Sequence, residues 1–131
     1  MPAVDVVDST WICARPAAVA AIVSEPANWR RWWPDLVVEV DEWRGNKGVR
    51  WSVQAPKYRG VGTMEVWLEP AFDGVVAHYF LRLDGDATHP MRPRRAAKCA
   101  DAYRTRVKQV FWGLADQLDP SRLTRVASPK P

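Results

Sequence analysis

The 131 residues are enough for one domain, which would remove about two-thirds of its unfolded surface from water. The net charge of +4 keeps a small protein soluble and argues only weakly for acidic partners. No apolar run approaches about 18 residues and no basic-then-apolar leader opens the chain, so we expect neither a transmembrane segment nor a secretory signal. Cys13 and Cys99 lack metal-ligand spacing, so we expect reduced, mostly buried thiols in a cytoplasmic protein.

The first part of the chain predicts one strand and two short helices. β-Branched residues are dense over residues 4–14, which favours a strand. Pro16 suits the first turn of a helix that runs to Val23, and a second short helix begins at Pro26 and is stopped by Pro34. The spacing of three and four residues places a set of tryptophans on one face of the second helix: Trp29, Trp32 and Trp33.

Turn-prone segments divide the middle of the chain into four strands, predicted over residues 36–44, 49–55, 59–69 and 75–83. The short connections between them force antiparallel neighbours. A loop over residues 84–93 then leads to a long helix over residues 94–118. We expect residues 1–119 to form one domain and residues 120–131 to form a disordered tail.

The long helix carries an apolar stripe whose two halves differ in size. The first half offers small side chains, at Ala96, Cys99 and Ala100, whereas the second half is bulky. Packing of the bulky half against the sheet would leave unfilled volume beside the small half. The sequence therefore predicts the mouth of a pocket at the N-terminal end of this helix.

Turn lengths predict which strand residues face the helix. Loops of four residues at 45–48, two at 56–57 and five after Glu69 fix the register of the hairpins. The predicted inner face is apolar: Val38, Val40, Val49, Trp51, Val53, Met64, Val66, Leu68, Val76 and Phe80. The same register turns Trp43, Trp67, Tyr79, Leu81 and Leu83 outward, which is more apolar surface than a monomer usually exposes. Either the register of the last two strands differs, or this face meets a second copy in a homodimer.

The pattern resembles the helix-grip superfamily of START-like (SRPBCC) domains, which includes lipid carriers and polyketide cyclase/dehydrase-like proteins. The resemblance lies in residues 12–19 (ICARPAAV), 25–34 (EPANWRRWWP), 62–67 (GTMEVW) and 78–82 (HYFLR). It implies an α+β fold in which a curved antiparallel sheet wraps the C-terminal helix. The chain departs from the family in its meander, which has only four predicted strands where relatives usually have five or six. It also implies a cavity for a hydrophobic, lipid- or polyketide-like ligand. We expect the following residues to line it: Trp32, Trp51, Val53, Met64, Val66, Phe80, Ala96, Cys99, Ala100 and Val107.

Four polar residues are predicted to meet in that cavity: Glu42, His78 and Arg82 from the inner face, and Tyr103 from the helix. In a carrier, these groups would only orient a ligand. In a cyclase or dehydratase, His78 would act as a base while Arg82 and Tyr103 stabilised an enolate oxygen. The sequence has no phosphate-binding loop, nucleophile elbow or metal-ligand spacing, so we expect no cofactor and no metal.

Cations crowd the start of the long helix, where the helix dipole disfavours them: Arg92, Arg94, Arg95 and Lys98. Such a cluster is commonly a solvated loop. Alternatively, it is a rim that attracts a ligand carboxylate or a phospholipid head group beside the pocket mouth. We expect no nucleic-acid partner, because the long helix uses its organised face for the core.

Overall fold

The computed structural model describes residues 2–86, 88–119 and 121, and it has an α+β architecture. The elements are β1 (Val4–Ile12), α1 (Pro16–Val23), α2 (Pro26–Trp32), β2 (Val37–Trp43), β3 (Gly48–Ala55), β4 (Gly60–Ala71), β5 (Gly74–Gly85) and α3 (Pro93–Leu118). This order confirms the predicted fold class, with two short helices after the first strand and a long C-terminal helix. Apart from Ser121, the predicted tail lies outside the described residues.

The five strands form one antiparallel sheet in the order β1-β5-β4-β3-β2. The last four strands are a simple meander, whereas β1 pairs with β5, so that Val4 lies opposite Leu83 and Ile12 opposite Val75. The first and the last strand of the chain are therefore neighbours, and β1 and β2 are the edges of the sheet. Helix α3 packs along β1, where Lys108 Nζ lies 3.0 Å from Asp8 Oδ1.

Helix α3 buries the apolar stripe that the sequence predicts. The buried residues of the helix are Ala96, Cys99, Ala100, Tyr103, Val107, Val110, Phe111, Leu114 and Ala115, and the predicted Leu118 is partly buried. The stripe packs against the face of the sheet that holds Trp51, Met64 and Tyr79, none of which exposes any surface. Helices and sheet therefore share one hydrophobic core.

The hairpin between β4 and β5 corrects the predicted register of the last strand. Phe72 adopts a left-handed φ of 57°, so a two-residue turn closes between Ala71 and Gly74 in place of a five-residue loop. Met64 consequently lies opposite Leu81 and not opposite Phe80. Because strand side chains alternate, a shift of one residue exchanges the two faces of β5. Its inner residues are Val75, Ala77, Tyr79, Leu81 and Leu83, and its outer ones are Val76, His78, Phe80 and Arg82.

The hairpin between β3 and β4 keeps its predicted faces although its pairing differs. A helical turn over Pro56–Tyr58, followed by Arg59, makes a four-residue connection in place of two residues. Trp51 therefore lies opposite Met64, and Val53 lies opposite Gly62. The difference of two residues leaves every side chain on its expected side of the sheet.

A β-bulge at Asp41 corrects the predicted position of Glu42. Val40 lies opposite Trp51, but after the bulge Glu42 lies opposite Arg50 on the outer face. There Glu42 forms an ion pair with Arg44 and does not reach the core. The same bulge turns Trp43 to the inner side, where its ring centroid is 5.7 Å from that of Trp29.

Candidate functional site

Aromatic rings form the centre of the core. Trp29 comes from α2 and Trp33 follows its last turn, so a spacing of four residues directs both rings toward the sheet. Trp51 of β3 lies between them, with ring centroids 5.2 Å from Trp29 and 5.8 Å from Trp33. Trp33 also stacks on Tyr79 of β5 at 5.9 Å. The predicted tryptophan face of α2 is thus part of the core.

Three hydrogen-bond donors in this core have no partner among the described residues: Trp33 Nε1, Trp51 Nε1 and Tyr103 Oη. Neighbouring rings do have partners, because Trp29 Nε1 donates to the carbonyl oxygen of Val23 and Tyr79 Oη donates to Met64 Sδ at 3.1 Å. An unsatisfied buried donor costs about 1 to 3 kcal/mol. The core therefore contains donors that an acceptor atom of a bound molecule would satisfy.

The ionisable groups near these donors are held in their neutral forms. Burial raises the pKa of Tyr103 and of Tyr79 well above the usual value, and it raises the pKa of the Cys99 thiol to about 11. At physiological pH all three groups carry their proton. They can donate hydrogen bonds, but none is poised to act as a general base or a thiolate nucleophile.

Most of the residues predicted to line a cavity lie in the packed core or in one of two open clefts, whereas Phe80 does not. A fully buried group faces the core: Trp51, Val53, Met64, Val66, Cys99 and Val107. Trp32 reaches a cleft of about 310 Å³ between α2 and the C-terminal half of α3. Phe80 is on the opposite face of the sheet, so its predicted position in the cavity is wrong.

A second cleft, the alanine cleft, lies where the small half of the helix predicts a pocket mouth. It has a volume of about 590 Å³ between the start of β1 and the N-terminal half of α3. Small and apolar residues dominate its walls: Pro2, Ala3, Met91, Pro93, Ala96, Ala97 and Ala100, with Asp5, Asp101 and Arg104 at the polar side. The predicted residues Ala96 and Ala100 thus line an open cleft and not a closed cavity.

The predicted acid–base group does not assemble. Tyr103 is in the core, whereas Glu42, His78 and Arg82 are on the outer face of the sheet. His78 there lies between Ser9 Oγ, at 2.8 Å from Nδ1, and Glu69 Oε1, at 3.1 Å from Nε2. The sheet itself separates these groups from Tyr103, so a single substrate cannot touch both sets.

The outer face of the sheet carries an aromatic patch that the predicted register missed. His78 stacks on Trp67 with ring centroids 5.0 Å apart and packs against Phe80 at 6.5 Å. The Arg82 guanidinium lies 5.5 Å from the centre of the Phe80 ring. Around this stack Val7 is 55% exposed and Trp67 39% exposed. Val7 belongs to this patch because the pairing of β1 with β5 places Val7 opposite Phe80.

A third cleft, the arginine cleft, shares the wall residue Met91 with the alanine cleft. Its volume is about 440 Å³, and its walls combine basic and polar residues: Tyr58, Arg59, Thr88, His89, Pro90, Met91, Arg92 and Arg95. The sequence identified the cations at the start of α3. It did not identify Tyr58 and Arg59, because these belong to the turn between β3 and β4 and meet α3 only in the folded chain.

No group of three or more metal-ligating side chains occurs among the described residues. Within the same residues, no helix is long and apolar enough to cross a membrane. Cys13 and Cys99 are both free thiols, as the sequence predicts.

No protein-family model matches the chain, and no curated protein matches it by sequence. Its fold is similar to the solution structure of the Aha1 dimer from Colwellia psychrerythraea, with a TM-score of 0.61 and 15% identity, over 88% of this chain and 96% of that one. A crystal structure from Deinococcus radiodurans matches with a TM-score of 0.52 and 15% identity, over 80% and 95%. A solution structure from Cytophaga hutchinsonii matches with 0.54 and 13%, over 98% and 99%. These similarities show a helix-grip type of fold.

Proposed function

We propose that this chain binds a hydrophobic or amphipathic small molecule between the sheet and α3. The observation that carries the proposal is the set of buried donors of Trp33, Trp51 and Tyr103, which have no partner among the described residues. Ligand sites in proteins are typically apolar with a few placed polar groups, and these donors fit that description. The alanine cleft supports the proposal, because it offers an apolar approach beside the small half of α3.

Binding without chemistry is the better supported function. The core groups Tyr79, Cys99 and Tyr103 all have raised pKa values, so they remain protonated donors. A cyclase or dehydratase reaction would need a base near them. The histidine expected in that role is on the other face of the sheet. We also infer a cytoplasmic location, which the two free cysteines support.

Filling the alanine cleft should reduce ligand binding. Ala97 lines the cleft and is exposed, so Ala97→Trp places a large ring in it without disturbing the core. We expect at least a tenfold weaker binding of the neutral dye Nile red, measured by its fluorescence. Ala102→Trp is the matched control, because Ala102 is exposed on the same helix outside the cleft and should leave binding unchanged.

Tyr103→Phe addresses the donors themselves. Native mass spectrometry of protein from its own host should show a bound small molecule, with several-fold lower occupancy in Tyr103→Phe because one hydrogen bond is lost. Ala102→Trp should keep full occupancy. Equal dye binding by the Ala97→Trp and Ala102→Trp proteins, together with no co-purified molecule, would refute the proposed function.

We further propose that the outer aromatic patch binds a second copy of the chain. The Aha1 structure with a similar fold is described as a dimer, but the support here comes from the patch. Its two central rows across the sheet are Ser9-His78-Trp67 and Val7-Phe80-Glu65. The flanking rows carry Glu69 on one side and, on the other, Arg82 with its ion-pair partner Asp5. A twofold axis that lies parallel to the sheet and perpendicular to its strands would bring Arg82 near Glu69 of the other copy.

A charge placed in this patch should dissociate the dimer. Val7 is more than half exposed, so Val7→Lys should fold normally while placing a cation between two apolar surfaces. Sedimentation velocity at micromolar concentrations should then show a dimer for the original chain and a monomer for Val7→Lys. The control is Trp112→Lys, since Trp112 is equally exposed but lies on α3. A monomeric mass for the original chain at every concentration would contradict this interface.

A further inference from the structure

The arginine cleft concentrates positive charge that the described part of the chain does not neutralise. Arg59, Arg92 and Arg95 all line it, and none of them forms an ion pair with a described residue. The three side chains come from two separate parts of the chain, the turn after β3 and the start of α3. A guanidinium group presents a fork of N–H donors that matches a carboxylate or a phosphate.

The local structure tolerates these arginines at positions that favour other residues. Arg92 is the N-cap of α3 but forms no capping hydrogen bond, and the first turn of the helix contains no acidic residue. A cation at this end opposes the helix dipole, and the first backbone N–H groups lack a side-chain acceptor. Arg59 has a left-handed φ of 52°, where glycine or asparagine is usual. An anion in the cleft would compensate the unfavourable charge at the start of α3.

The acidic side chain of the loop that precedes α3 does not supply that anion. Asp86 is not part of the cleft wall, and its carboxylate accepts hydrogen bonds from Thr88 N, Thr88 Oγ1 and His89 N. These bonds, led by the one from the Thr88 hydroxyl, lower the pKa of Asp86. The Asp86 carboxylate therefore binds groups of its own loop, and the three arginines remain available to an external anion.

The arginine cleft and the alanine cleft adjoin one another. Met91 lines both clefts, with basic residues on one side and alanines on the other. Tyr58 of the arginine cleft also packs its ring at 6.2 Å from Tyr103, whose hydroxyl group is one of the unpartnered donors. An amphipathic molecule that lies across Met91 would thus find apolar contacts at one end and cations at the other.

We propose that the arginine cleft binds the acidic head group, a carboxylate or a phosphate, of the molecule whose apolar part is bound beside α3. This inference rests on the function proposed above and adds the chemical class of the ligand: an anionic amphiphile. Arg59, Arg92 and Arg95 supply the charge and the paired N–H donors, and the backbone at the start of α3 supplies further donors.

The test compares two probes with the same tail, a dansyl-labelled medium-chain carboxylic acid and its methyl ester. The original chain should bind the acid at least tenfold more tightly than the ester. The triple variant Arg59→Gln/Arg92→Gln/Arg95→Gln should lose this preference and bind both probes like the ester. The control triple variant Arg15→Gln/Arg30→Gln/Arg94→Gln should keep the preference, because it removes the same net charge from exposed positions outside the cleft.

The outcomes of this test distinguish failure of the head-group site from failure of the proposed function. Equal preference for the acid in both triple variants, or equal affinity of the original chain for acid and ester, would overturn the head-group site while leaving apolar binding intact. If neither probe binds, the proposed function fails, and a titration with inorganic phosphate decides the cleft alone. Side-chain N–H signals of Arg59, Arg92 and Arg95 that shift selectively in NMR spectra would support a site for a free anion. Shifts shared equally with Arg15 and Arg30 would overturn it.

Discussion

Replacing Trp51 by alanine should lower the free energy of unfolding by about 3 to 5 kcal/mol, the range measured for large aromatic residues in packed cores. Trp51 exposes no surface, lies opposite both Val40 and Met64, and contacts the rings of Trp29 and Trp33. Alanine would remove all of these ring contacts and leave a cavity at the centre of the core. Denaturant titration followed by circular dichroism measures the change.

Trp112→Ala is the matched control for this experiment. Trp112 is 50% exposed, and its ring interacts with the Lys108 ammonium group at 5.8 Å. Its loss should cost less than about 1 kcal/mol. Comparable costs for the two variants would contradict the close packing of Trp51. A small cost for Trp51→Ala alone would indicate that its surroundings rearrange and fill the space.

Gly48→Ala should destabilise the chain by about 2 to 4 kcal/mol. Gly48 has a φ of 119°, which L-residues rarely adopt, and a Cβ atom there would lie 1.9 Å from the carbonyl oxygen of Val66. The alanine would have to break the pairing of β3 with β4, where Gly48 lies opposite Trp67. Thermal unfolding monitored by circular dichroism should show a clearly lower Tm.

The opposite result is expected at Gly113, which provides a control of the same chemistry. Gly113 lies within α3, and no heavy atom would come within 4 Å of a Cβ atom built there. Gly113→Ala should stabilise the chain by about 0.5 to 1 kcal/mol, because alanine has the higher helix propensity. An unchanged or higher Tm for Gly48→Ala would contradict the close approach of Gly48 to β4.

The order of elements and the buried stripe of α3 could be predicted from the sequence because many residues indicate the same secondary structure. Nine positions of α3 follow a helical period, and an error at one of them would not hide the pattern. The faces of β3 and β4 were predicted for the same reason. The predicted pairing of β3 with β4 was displaced by two residues. A displacement by an even number keeps each side chain on its face, so Trp51 and Met64 remained in the core.

The site was harder to predict because single residues decide it. Phe72 has no obvious preference for a left-handed conformation, yet its φ of 57° shortens one turn and exchanges the faces of β5. That exchange moves His78 and Arg82 away from Tyr103 and removes the expected acid–base group. A bulge at Asp41 does the same to Glu42. Alternative conformations of a turn or of a strand end differ in free energy by about 1 kcal/mol, and a sequence pattern does not reveal so small a difference.

The pairing of β1 with β5 has a consequence for how the chain folds. Val4 is synthesised well before its partner Leu83 and before the helix that covers β1. The first strand must therefore wait, with its apolar face unprotected, until almost the entire domain has been made. Pairing between such distant segments also slows folding, because the chain loses the entropy of closing a long loop before the stabilising contacts form. Strand β1 can therefore join the sheet only after β5 has been made.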